Sequence, residues 1–179
     1  METCELNPFS QKIEVQISII CPKPYFHDME QSYEEIRGIA KLFEFPASIP
    51  KEGVALSEIL TKHSEYIKNA GDVETGGIFV LETSGIVINP VIRNIDTMES
   101  FSLQTTLVKG DILKINTLES EKSVTLQREG KDINMINYIN DDSVWLQIPI
   151  GSYRFGLYPE YGFENAALKI IHENLYTGV

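Results

Sequence analysis

From residue 12 the chain alternates. In KIEVQISII, Ile13, Val15, Ile17 and Ile19 face one way and Lys12, Glu14, Gln16 and Ser18 the other, the two-residue period of a strand with one buried face. Cys21 closes this run, and Pro22 and Pro24 follow it. Neither proline has an amide hydrogen, so the ladder is expected to stop there. Between Asp28 and Phe43 the spacing of Ile36, Ile39, Ala40 and Phe43 becomes helical. It predicts a short helix within residues 29–37, with Asp28 and Ser32 as capping candidates. FEFPASIPKEG predicts an extended crossing and a turn, while VALSEILTKHSEYIKNAG fits either strand pairs or a helix and ends at Asn69 to Gly71.

From Gly77 onward strand-like runs follow one another at short intervals, separated by turn residues. GIFVLE, IVINPVI with Pro90 interrupting it, SFSLQTTL, ILKINT, KSVTLQR, DINMINYI, SVWLQIPI, SYRFGLY and AALKIIHENLY all read as strands. Ser84-Gly85, Lys109-Gly110-Asp111 and Glu129-Gly130-Lys131 read as the turns between them. Evenly spaced short strands without regular helices predict a mainly β chain, with antiparallel sheets packed face to face as a β-sandwich. At 179 residues the length suits one such domain, with or without an arm.

Charge narrows the partners. With 15 Lys plus Arg against 26 Asp plus Glu, the formal net charge is −11, which argues against a sequence-independent grip on nucleic acid. No run approaches the ~18–20 apolar residues of a membrane span, so no membrane insertion is expected. METCELNPFS has neither the basic start nor the apolar core of a secretory signal. Cys4 and Cys21 supply no disulfide framework and fit a reduced cytosolic origin, although a bridge between the two stays open.

Candidate chemistry is sparse. His27, His63 and His172 each lack a second ligand at metal spacing, so no metal site is expected. GDVETGG has neither the lysine of a phosphate loop nor the acidic spacing of a calcium hand, and reads as a loop leading into a strand. The acidic pairs Asp141-Asp142, Glu34-Glu35 and Glu119 with Glu121 read as turns and solvated rims rather than as glycosidase carboxylates. No catalytic residue and no cofactor are expected. The aromatics Trp145, Tyr153, Tyr158 and Tyr161 have two readings, packing on the core or forming a patch that stacks on sugar rings or a partner. By alternation, Trp145 is expected on the face opposite Val144 and Leu146.

Four phrases in order resemble the siphophage tail component family, the distal tail proteins: CPKPYF, NAGDVETGG, GDILKINTLESEKSVTLQREGKDINMINYI and SVWLQIPIGSYRF. Lys23, Ile150 between Pro149 and Gly151, and Tyr153 depart from the family pattern. The resemblance implies a galectin-like or jelly-roll type sandwich over residues 37–179. It implies an arm over residues 1–36, holding the last strand of a ring-forming domain that is otherwise missing, plus a linker. It also implies a structural role at a phage or prophage tail tip, as a distal tail or baseplate hub that docks tail-tip and receptor-binding proteins onto the tail tube. In the full-length family this hub is a hexameric ring, found in the virion tail tip and, during assembly, in the host cytoplasm. On this reading Cys21 is a small, partly buried residue ending a strand. The alternative function is a carbohydrate-binding module that attaches to the host cell surface.

Overall fold

The computed structural model describes residues 3–5, 14–16, 18, 24–28, 31–37, 39–41, 57–59 and 63–178. Their centre is two antiparallel sheets packed as a β-sandwich. The larger sheet has six strands in the order Lys131–Asn134, Ser123–Arg128, Ile112–Asn116, Gly77–Thr83, Ala166–His172 and Ser32–Arg37. The smaller has four, in the order Ser100–Ser102, Val91–Asn94, Gly151–Leu157 and Ser64–Asn69.

The larger sheet is built from runs read as strands. Phe79 and Leu81 point inward from Gly77–Thr83, and Leu113, Ile115, Val124, Leu126, Leu168 and Ile170 meet them from neighbouring strands. The smaller sheet contributes Ile67, Ile92, Phe101, Phe155 and Leu157 to the same core. Phe79 and Phe155 touch across the gap, with ring centroids 6.1 Å apart and planes at 45°. Fully burying such a side chain is worth about 1.5–3 kcal/mol, so this two-sided apolar layer drives the sheets together. His172 adds a polar stitch: its Nε2 donates to the Lys68 carbonyl of the other sheet at 3.1 Å.

Three sequence expectations change. The helix placed within residues 29–37 is instead the edge strand Ser32–Arg37, paired with Ala166–His172 through Ile36 opposite Leu168. Ile36 is the buried residue of this segment, and one apolar contact at a sheet edge outweighs a helical spacing that borrowed Ile39, Ala40 and Phe43 from beyond it. SVWLQIPI is not a ladder strand, since it makes one isolated bridge, Ile148 with Thr75. DINMINYI is a strand over Lys131–Asn134 and then a turn of 3-10 helix over Ile136–Tyr138.

Within KIEVQISII, Glu14–Gln16 is strand and pairs with Thr3–Glu5. Cys21 and FEFPASIPKEG lie outside the described residues. The ambiguous stretch after Gly53 yields two strands: Ser57–Ile59 paired with Ile39–Lys41, and Ser64–Asn69 in the smaller sheet.

Candidate functional site

The phrase NAGDVETGG explains itself in structural terms. Asn69 is buried, and its amide donates to the carbonyls of Val73 at 2.9 Å and Ile148 at 3.0 Å, while its carbonyl oxygen accepts from Gly71 N at 2.9 Å. Position 71 has no room for a side chain, since a Cβ there would lie 2.5 Å from the Leu175 carbonyl oxygen. Asp72 accepts from the Thr177 amide at 3.1 Å, and Asn174 accepts from the Ala70 amide and donates to Asp28, at 2.9 and 2.8 Å. Asn69 is thus spent on the loop itself and on Ile148, and Asp72 on holding Thr177. Among the described residues, no group of three His, Cys, Asp or Glu is placed to hold a metal ion.

The four aromatics singled out from sequence go to different places. Trp145 is half-buried against Phe101, with ring centroids 5.1 Å apart, and Lys122 Nζ lies 5.8 Å from its ring. Its neighbours Val144 and Leu146 do not share a face: Val144 is exposed and Leu146 is buried, because the segment lacks the regular pleat that alternation assumed. Tyr153 packs inward against the core. Tyr158 and Tyr161 are 37% and 59% exposed, and Tyr161 is bridged through its backbone to Ile88.

Tyr158 belongs to a constellation on the outer face of the smaller sheet. Arg93 stands opposite Ser100 on one side and Gly156 on the other. Gly156 stands opposite Ser64, and Arg154 opposite Tyr66. Phe155, Leu157 and Ile92 take the inward positions of the same strands, so Arg93 and Arg154 face outward by the strand's period of two. The Tyr158 ring lies across the bare backbone of Gly156, where a Cβ would come within 2.6 Å of its Cε2. The Arg93 guanidinium carbon is 5.8 Å from that ring, and His63 stacks on it at 5.9 Å with an 11° angle between planes. Phe163 backs His63 at 3.7 Å. Exposed Tyr66 and Lys68 extend the face along the neighbouring strand.

Both arginines are short of acceptors. The Nε atoms of Arg93 and Arg154 are buried and have no hydrogen-bond partner, as is Nδ1 of His63. The Asp96 carboxylate accepts from the Arg154 main-chain amide at 2.6 Å rather than from a guanidinium. Of this constellation the sequence's aromatic pattern marks Tyr158 but neither Arg93 nor Arg154. The available signal was their placement at polar positions of alternating strands, in VIRN and SYRFGLY.

A scan against protein-family models finds no match, and no curated protein matches the chain in sequence. Among solved structures it is similar to SPP1 Dit (gp 19.1), described as "a Paradigm of Hub Adsorption Apparatus in Gram-positive Infecting Phages", with a TM-score of 0.62 at 11% sequence identity. The likeness covers 97% of this chain and 57% of that one, so the chain spans little more than half the length of its structural neighbour. At this identity what the two share is the fold.

Proposed function

We propose that this protein is a structural component of a phage tail tip, a hub piece that docks other tail proteins. The observation that carries this reading is the likeness of nearly the whole chain to a phage hub protein. The four family-like phrases support it independently, because they occur in family order along the chain. The galectin-like character of the sandwich, the hexameric ring and the placement on the tail tube belong to the same proposal. Immunogold labelling of purified particles, from the phage or induced lysogen that carries the gene, tests it: label is expected at one end of the tail. Particles that assemble without the protein would overturn the proposal.

A second reading, attachment to cell-surface carbohydrate, is favoured by the exposure of Tyr158 and Tyr161. Trp145 and Tyr153 would then support the fold rather than touch the sugar. Saturable binding to cell-wall polysaccharide that is lost in Tyr158→Ala or Tyr161→Ala is its expected signature, and no binding across a panel of such polymers removes it.

A further inference from the structure

We propose that the outer face of the four-stranded sheet docks an extended acidic segment of a partner polypeptide, with Arg93 and Arg154 each holding one carboxylate. The inference rests on the docking role above and gives it a surface and a partner chemistry. It begins from charge. In a chain of net charge −11, this face carries Arg93, Arg154 and Lys68, and neither arginine is paired with a carboxylate among the described residues.

A buried donor without an acceptor costs free energy, and native proteins leave few such groups unless a ligand or water completes them. Here the two Nε atoms are enclosed by the fold, and what a docked chain can reach is the ends of two half-buried guanidinium groups on neighbouring strands, met by no carboxylate among the described residues. Guanidinium groups match carboxylates in a two-pronged geometry that lysine cannot reproduce.

Spacing favours a polypeptide. Arg93 faces Gly156 across the ladder, so Arg154 is its diagonal neighbour on the same side of the sheet, a separation of about 7–8 Å. Carboxylates at positions i and i+2 of an extended chain project from one side about 6.6–6.8 Å apart. The Tyr158 ring, engaged by Arg93 and His63, orients the Arg93 guanidinium. Exposed Tyr66, opposite Arg154, offers apolar contact to a residue between or beside the two acidic ones.

The test is calorimetric titration of the purified full chain with a synthetic peptide of alternating Glu and Ser, and with its Gln-for-Glu counterpart, at low and high salt. The Glu peptide is expected to bind and the Gln peptide not, with affinity falling as salt rises. Arg93→Gln and Arg154→Gln are each expected to weaken binding roughly ten-fold or more, the loss of a charged hydrogen-bonded contact. Lys122→Gln, beside Trp145, should bind as the parent does. An unchanged circular dichroism spectrum in each variant keeps a folding defect from passing as a binding defect.

Equal binding of both peptides, or binding untouched by both arginine substitutions, overturns the proposal. Binding of oligogalacturonate without binding of the peptide overturns it in favour of an acidic glycan. Self-association by light scattering that disappears in Arg93→Gln overturns it in favour of a second copy. Particle labelling bears on the tail-tip role alone, whereas the titration bears on the face alone.

Discussion

The chain's four arginines divide evenly between the two sheets, and the sheets treat them differently. On the larger sheet Arg37 Nε meets Glu35 at 2.7 Å, and Arg128 Nε meets both Asp111 carboxylate oxygens, at 2.9 and 3.2 Å. On the smaller sheet Arg93 and Arg154 have an aromatic ring and a cross-strand tyrosine beside them, and no carboxylate on either guanidinium among the described residues. The first pair completes the domain's own electrostatics. The second is poised toward something else, and the same side chain is structural or available according to what its neighbouring strands offer it.

The largest effect should come from breaking the completed side. Asp111 is only 2% exposed and accepts from the Val108 amide at 2.9 Å as well as from Arg128. Asp111→Ala is expected to cost about 2–3 kcal/mol, because it strands a guanidinium and a main-chain donor. The urea midpoint checks this, and a cost below 1 kcal/mol would place Arg128 with the idle pair.

Acid should reach part of that effect without mutation. The hydrogen bond from Arg128 holds the Asp111 carboxyl below its ordinary value, with the Val108 amide adding to it and burial opposing. Its contribution is therefore complete above about pH 4 and is lost as pH falls through the depressed range. Burial also holds the His172 imidazole below its ordinary value, against the opposing pull of the Lys68 carbonyl and Glu34. The unfolded chain then takes up a proton that the folded one resists, so stability declines as pH drops below about 6.5. Urea midpoints from pH 8 to 3 should fall in two steps, with His172→Gln flattening the upper and Asp111→Asn the lower.

A smaller effect is expected at Gly156. Its Cβ would displace the far end of the Tyr158 ring, which can swing away, and would press on the His63 carbonyl oxygen at 3.0 Å, so Gly156→Ala should cost about 1–2 kcal/mol. The displaced ring should react faster with tetranitromethane than in the parent, and an unchanged rate would detach Tyr158 from the arginine face. The smallest effect sharpens the comparison most: Arg93→Gln and Arg154→Gln should each leave stability within about 0.5 kcal/mol of the parent. A thermal melt shifted further down than that would show them to be structural after all.

The sandwich was legible where a strand obeys one period. Ser123–Arg128 alternates, and its apolar Val124 and Leu126 are the buried ones, whereas Gly77–Thr83 is apolar at four successive positions, Ile78 to Leu81, and parity cannot say that Phe79 and Leu81 are the inward pair. Legibility failed where an extended segment has no ladder, as at SVWLQIPI, and where a single buried residue, Ile36, had to decide between two periods. The arginine face was hidden for another reason. Parity says which way Arg93 points, but not whether a carboxylate waits across the ladder, and that depends on a register linking residue 93 to residue 156.

The seam beside Trp145 gives the protein an optical handle. The segment around it closes the outer edge of Ser100–Ser102, with the Val144 amide donating to the Ser100 carbonyl at 2.9 Å and the Ser102 amide to Ser143 Oγ at 3.0 Å. Trp145 is the chain's single tryptophan, and it rests on Phe101, an inward residue of that same edge strand. Its emission therefore reports the closure of the smaller sheet from within. A titration that filled the arginine face while leaving this fluorescence steady would show a surface that receives its occupant without loosening the sheet beneath it.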